Sequence, residues 1–211
     1  MTSSSQLKLS SKTRESAHGF VPTFSIITPT CGRLGIFEMA ADMLSKLGPR
    51  DEWLIVCDGP QPEVVAFFRT LLDPRVLVQE TPATGFFGNA QRDVGLSLVT
   101  KSHTIFADDD DTLLNLELAR RLVAANPDVP NFFRLEGAGG AVIIPGPGKE
   151  LAGGAGTIFP NVTGRVPLWG GRVSGEFNAD LVQRFGGAVF HPDIQLCEMR
   201  TWSRCRPGEQ E

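Results

Sequence analysis

Apolar runs and amphipathic stretches alternate along the first half of the chain. Residues 24 to 28, Phe-Ser-Ile-Ile-Thr, form a short apolar run closed by Pro29, the pattern of a buried parallel strand. Leu34, Phe37, Ala41 and Leu44 then recur at helical spacing until Gly48-Pro49 ends the segment. The same alternation predicts a second strand at Trp53 to Cys57, a helix carrying Val64, Phe68 and Leu71, and a third strand at Arg75 to Gln79. A glycine-containing loop, Thr81 to Gly88, leads into a helix with Ala90, Val94 and Leu98. His103 to Ala107 reads as a fourth strand, and Leu114, Leu118 and Leu122 mark the helix after it. Strands alternating with helices in this way predict an α/β fold, a mostly parallel sheet flanked by helices and joined by right-handed crossovers.

The rhythm changes at Asn131. Apolar pieces at Phe132 to Leu135 and Ala141 to Ile144 are separated by the Gly- and Pro-rich stretch Gly137 to Gly156, which predicts mixed strands and long loops in the C-terminal third. A helix near Asp180 to Phe185 is stopped by Gly186-Gly187, and another is expected from Asp193 to about Arg204. Residues 1 to 22, serine-rich at the start with Lys8, Lys12 and Arg14, are too polar to bury much and read as a mobile tail, leaving 23 to 211 as one domain.

Composition narrows the partners. A hydrophobic fraction of 41% and a net charge of -4 give a globular chain with no electrostatic footprint for nucleic acid. No run approaches the roughly 20 apolar residues of a transmembrane segment, and the N-terminus lacks the apolar core of a secretory signal, so a cytoplasmic location is expected. Cys31, Cys57, Cys197 and Cys205 show no close paired spacing, which predicts reduced thiols. On that reading the sequon Asn161-Val162-Thr163 goes unused.

Ligands of an open parallel sheet bind outside the carboxyl ends of its strands, where loops and helix N-termini converge. That rule selects Thr28-Pro29-Thr30, Asp58-Gly59 and the run Asp108-Asp109-Asp110-Asp111. Four adjacent carboxylates repel one another and raise each other's pKa unless a cation is present. Mg²⁺ or Mn²⁺, shared between one or two carboxylates and the phosphates of a nucleotide diphosphate, resolves the conflict. The competing reading is an acid-rich helix start, with the carboxylates capping a helix at Leu113. An EF-hand from Asp108 fails because Leu113 and Ala119 stand where Gly and Glu are required. A Walker A loop fails at Ile143 and Glu150 around Gly148-Lys149. Gly137-Ala138-Gly139-Gly140 leads into a strand-like run, so it reads as a turn and not a dinucleotide loop. Asp108-x-Asp110-x-Thr112 after an apolar strand also fits haloacid-dehalogenase-type phosphatases, with Asp108 as nucleophile, although that motif usually opens its domain and three strands precede it here.

Four segments in order then resemble family 2 of the GT-A glycosyltransferases. Phe24 to Arg33, ending Thr28-Pro29-Thr30-Cys31-Gly32-Arg33, is similar to that family's opening strand and its Pro-Thr-Tyr-Asn-Arg. Leu54 to Gly59 is similar to its second strand, Gly88-Asn89-Ala90-Gln91-Arg92-Asp93-Val94-Gly95 to its Gly-x-x-x-Ala-Arg-Asn-x-Gly helix, and Phe106 to Asp111 to its Asp-x-Asp-Asp signature. The resemblance implies a transferase of the hexosyltransferase type, with residues 23 to 115 forming the nucleotide-sugar-binding half and 116 to 211 the acceptor half. It implies a UDP- or GDP-sugar donor contacted by Thr28, Thr30, Arg33, Asp58, Asn89, Arg92, Asp108 and Asp109, with Asp108 on the ribose. Asp110 would bind Mn²⁺ or Mg²⁺, with His191 as a further ligand; the other reading of His191 is structural.

The same resemblance extends to Ala179 to Gly187 and makes Glu198 the expected general base, with Asp193 second, acting on a glycan or small-molecule acceptor with inversion. Glu198 also reads as a solvated helix carboxylate. Trp169-Gly170-Gly171 reads either as a stacking face for acceptor sugar or as packed core. Two departures from the family pattern are Cys57, where another acid is common, and Met199 after the glutamate. A phosphatase, a non-catalytic nucleotide-sugar-binding module and a homo-oligomer all stay open on these residues.

Overall fold

The computed structural model describes residues 19–85, 88–137, 140–146 and 154–199. Most of the expected N-terminal tail, Gly148-Lys149, the end of the helix expected to reach Arg204, and Cys205 lie outside them. The strands are β1 (Phe24–Thr30), β2 (Glu52–Asp58), β3 (Val76–Thr81), β4 (His103–Phe106), β5 (Asp111–Leu113), β6 (Asn131–Gly137), β7 (Val142–Ile143), β8 (Thr157–Pro160) and β9 (Val189–Met199). The helices are α1 (Gly35–Lys46), α2 (Pro62–Thr70), α3 (Asn89–Leu98), α4 (Leu116–Ala125) and α5 (Ser174–Phe185).

These strands form one nine-stranded sheet in the order β3-β2-β1-β4-β8-β6-β9-β5, with β7 paired to β6. The first four are parallel, β8 runs antiparallel between β4 and β6, β9 is parallel to β6, and β5 is antiparallel to β9. This is the expected parallel half joined to a mixed C-terminal third. Alternation along the strands feeds two cores. Phe24, Ile26, Trp53, Ile55 and Ile105 pack with Met39, Met43, Val64, Phe68, Ala119 and Val123 of α1, α2 and α4. Ile27, Leu54, Val56 and Phe106 pack with Phe177, Leu181 and Phe185 of α5 and Val94 and Leu98 of α3. Apolar side chains are needed on both faces, which is why these strands read as continuous hydrophobic runs.

Several readings of the secondary structure need correction. Pro29 does not close β1, which continues to Thr30. The β4 ladder ends at Ile27, so Pro29 pairs only with Val56 of β2 and its missing N–H has no β4 partner to lose. The acidic run does not start a helix: Asp111–Leu113 is β5, and α4 begins at Leu116 after Asn115, with no side-chain cap. The buried side of α4 is Leu116, Ala119 and Val123, while Leu118 faces solvent. The helix expected from Asp193 is instead β9 as far as Met199, because β6 and β5 flank it and supply ladder partners that outweigh local propensity.

Cys57 and Cys197 are buried free thiols, as expected, but Cys31 is disulfide-bonded. The expectation of four thiols therefore fails at Cys31. Asn161 of the sequon is tied into the fold, accepting from the Thr104 hydroxyl and donating to the Lys101 carbonyl at 2.7 Å. Among the described residues no helix is long and apolar enough to cross a membrane.

Candidate functional site

The parallel strands bring their carboxyl ends to one edge. Thr30 pairs with Cys57, Asp58 with Thr81, and the Ala107 N–H donates to the Ile27 carbonyl at 3.0 Å. The chain leaving β4 is thus delivered beside the end of β1.

There the four aspartates divide by direction. Asp109 points inward with no exposed side-chain surface; its carboxylate accepts from the Thr30 hydroxyl at 2.6 Å and pairs with Arg33. Asp111 also turns inward, accepting from the Asp108 N–H at 2.9 Å and hydrogen-bonding the Cys197 thiol. Asp108 and Asp110 face outward, with 44% and 21% of their side chains exposed. Asp108 pairs with Arg92, and Asp110 stands 3.4 Å from Arg33. A residue spacing of two therefore leaves one reachable pair above two buried braces. Gly35 lets α1 begin against this loop, since a Cβ there would lie 2.4 Å from the Asp109 carbonyl oxygen. Gly35→Ala is expected to lower stability by about 2 kcal/mol through overpacking, read as a fall in denaturant midpoint.

Burial dominates the electrostatics. It pushes the Asp109 carboxyl up against the opposing pull of Arg33 and Thr30, and raises Asp111 well above the usual range with help from the Asp108 charge. Asp110 is raised to about 6 by burial, with Arg33 opposing and the Asp109 and Asp108 charges adding. Burial alone would lower Arg33, but its bond to Asp109 and the neighbouring carboxylates hold it above its ordinary value.

A raised carboxyl binds more protons folded than unfolded, so Asp110 costs stability above about 6 and stops doing so as pH falls toward 4. In chelator, Asp110→Asn should be more stable than wild type at pH 7.5 by roughly 1–2 kcal/mol, with the gap closing near pH 4. Buried His103, lowered by desolvation, loses stability on acidification in both proteins and cancels from this difference. A gap in urea midpoints that stays constant across the pH range would count against the assignment.

On the other side, Asp58 spends its carboxylate on the protein. It accepts from Thr84 N at 2.6 Å, Gly85 N at 2.9 Å and the Gln91 side-chain amide at 2.8 Å. It therefore fixes the loop after β3, and Gln91, an unforeseen partner, is buried beneath it. Thr28 is fully buried, its hydroxyl accepting from the Trp53 indole at 2.9 Å, so the structure places it in the core and not in the crevice. Asn89 and Arg92 sit on the first turns of α3, Arg92 against both the Asn89 side-chain Oδ1 and Asp108. The next residue, Asp93, was not foreseen as a site residue; it accepts the backbone N–H groups of Trp169 and Gly170 at 2.6 and 2.9 Å. Trp169 is packed core, stacked on Phe177 with 4.4 Å between ring centroids.

Of the acceptor-side candidates, Glu198 comes nearest the acidic loop. It pairs with Thr112 of β5, one ladder step from Asp111, and its side chain is exposed. Asp193 lies in the irregular part of β9 and is exposed as well. His191 is not brought to Asp110: it pairs with Phe133, stacks on that ring and bonds Asn131 at 3.0 Å. Met199, which does reach Asp111, pairs with Gly137, four β6 residues on, or about 13 Å along the strand. Among the described residues the Thr112 hydroxyl of the phosphatase pattern is buried in β5 without a hydrogen-bond partner.

A hard divalent cation fits the outward pair by donor chemistry. Among the described residues no three His, Cys, Asp or Glu side chains are grouped to hold a metal on their own. Mg²⁺ and Mn²⁺ commonly take only one or two carboxylates and complete their shell with water and substrate phosphates. Asp110 has its charge disfavoured by burial and two neighbouring carboxylates, and a cation there would relieve it.

No family model matches the chain, and no curated protein matches it by sequence. Its fold is similar to solved structures of S. aureus TarS. One of these has a TM-score of 0.67 at 16% identity, covering 85% of this chain and 37% of that one. TarS 1-349 in complex with UDP-GlcNAc has a TM-score of 0.69 at 15% identity over 89% of this chain and 60% of that one. TarS 1-349 in complex with UDP has 0.63 at 16% over 85% and 60%. The present chain thus spans between 37% and 60% of the length of these structures and has a GT-A-like fold.

Proposed function

We propose that this chain binds a nucleotide-diphosphate sugar, in the first instance a UDP-sugar, at the carboxyl edge of β1, β2 and β4 and transfers the sugar to a hydroxyl acceptor. The observation that carries this reading is the outward pair Asp108 and Asp110 on a loop braced from below by Thr30, Arg33 and Asp109. A carboxylate pair already held in place needs no rearrangement to receive a divalent cation carried by a diphosphate. The UDP and UDP-GlcNAc complexes of the similar TarS structures support the choice of donor.

Asp110 would hold Mg²⁺ or Mn²⁺ together with the diphosphate, and the ion would supply positive charge to the departing phosphates. Arg92 directs Asp108 through their ion pair, leaving the outer face of that carboxylate for the ribose. Asp58 shapes the base side of the crevice through the Thr84-Gly85 backbone. Glu198 would take the acceptor hydroxyl's proton, and attack from its side would invert the anomeric centre.

Calorimetric titration with UDP, with and without Mn²⁺, tests the reading. Binding that requires Mn²⁺ and weakens on chelation is expected. Absence of UDP and GDP binding with the metal present would overturn it.

A further inference from the structure

Between the acidic loop and the C-terminal half runs a continuous line of contacts that the roles above leave unused. Arg92 reaches Asp108 with one end of its guanidinium and the Asn89 side-chain Oδ1 with the other. Its guanidinium carbon lies 4.9 Å from the centre of the Trp169 ring. That ring is 2% exposed, lies nearly parallel to Phe177 at 10°, and meets Phe106 edge-on at 5.4 Å. The backbone at Trp169 and Gly170 is in turn gripped by both oxygens of Asp93, one residue along α3 from Arg92. Asn89 adds a third tie, donating to the Arg172 carbonyl at 2.9 Å. Residues 89, 92 and 93 of α3 therefore hold the acidic loop and the 169–172 loop together.

We propose that Trp169, clamped by Asp93, is a positioning residue for the donor site: its ring is the platform that holds Arg92 against Asp108. A long guanidinium side chain carries about 2 kcal/mol of rotamer entropy, and its ion pair to a half-exposed carboxylate and its bond to the Asn89 side chain each offset part of it. A flat aromatic face removes that freedom from one side, an interaction worth about 0.5–2 kcal/mol depending on desolvation. Here the guanidinium is largely buried and the ring is stacked on Phe177, which favours the upper part of that range. Among the described residues the indole N–H has no hydrogen-bond acceptor, so phenylalanine can take its place without orphaning one. The ring's aromatic face is therefore the feature under test.

The inference rests on the proposed donor site for its consequence but not for its geometry, and two measurements separate them. In nucleotide-free protein, ¹⁵Nε relaxation of Arg92 should report a rigid side chain in wild type and Trp169→Phe and a mobile one in Trp169→Leu. If Arg92 stays rigid in a folded Trp169→Leu protein, or is equally mobile in Trp169→Phe, the positioning role is wrong whatever the ligand. The second measurement is a cycle of Mn²⁺-dependent UDP affinity over Trp169→Leu, Asp108→Asn and the double variant. Trp169→Leu should weaken UDP by about 3- to 30-fold alone, the range that the aromatic contact spans. It should cost less than about 2-fold once Asp108→Asn is present. Full multiplication of the two losses would show that Trp169 acts as general packing and overturn the proposal. A wild-type protein that binds no UDP would remove the donor reading, leaving the relaxation result to decide the role of Trp169.

Discussion

Arg33→Met should lower the unfolding free energy by about 2–4 kcal/mol at pH 7.5, because it leaves Asp109 as a buried charge with only the Thr30 hydroxyl for company. Asp109 has no exposed side-chain surface, and burial already raises its pKa with Arg33 opposing. Removing the guanidinium removes the main restraint on that rise, so the variant should take up a proton at Asp109 and recover part of the loss as pH falls. Urea unfolding across pH 5 to 8 reads both the loss and its recovery. Adding Asp109→Asn should restore most of the stability, since neutralising the second partner removes the unpaired charge. A single variant within 0.5 kcal/mol of wild type at pH 7.5 would mean that the pair does not brace the loop.

The second large effect concerns binding, and it should fall on a neighbour. Asp110→Asn is expected to weaken Mn²⁺-dependent UDP affinity by about 100-fold, or ~2.7 kcal/mol, while leaving the protein folded and, in chelator, somewhat more stable. Asp109→Asn should do much less to binding and act on the rigidity of the loop. The contrast follows from direction: Asp110 reaches solvent, whereas Asp109 is consumed by Thr30 and Arg33. Equal losses of affinity in the two variants, measured by calorimetry, would contradict this division of labour.

That division was not legible in the letters Asp-Asp-Asp-Asp. Sequence reasoning located the cluster because apolar strands bounded by polar ends are visible in the chain, and the parallel half assembled as the alternation implied. Which carboxylate turns inward depends on what meets it across 79 residues at Thr30 or from β9 at Cys197. Asp58 shows the same limit, its position at the end of β2 being readable and its capture by Thr84, Gly85 and Gln91 not. Thr28 failed as a site residue because side chains alternate along β1 and its face also carries Ile26, which leads to Trp53 and the core. The helix expected from Asp193 failed for a different reason. Residues 193 to 199 carry no signal of β6 and β5 waiting on either side, and the ladder decided the conformation. Asp93 offered one usable hint, an acid directly after Arg92 on a helix whose first turns border the crevice.

The most direct test of the account is a crystal structure of the full chain with UDP and Mn²⁺, phased so that the manganese is located by its anomalous signal. The account predicts manganese bound by Asp110 and the UDP phosphates, with Asp108 facing the nucleotide and Asp109 still bonded to Thr30 and Arg33. Manganese and UDP lodged away from the carboxyl edge of β1, β2 and β4, or a metal bound by Asp109 in place of Asp110, would contradict it.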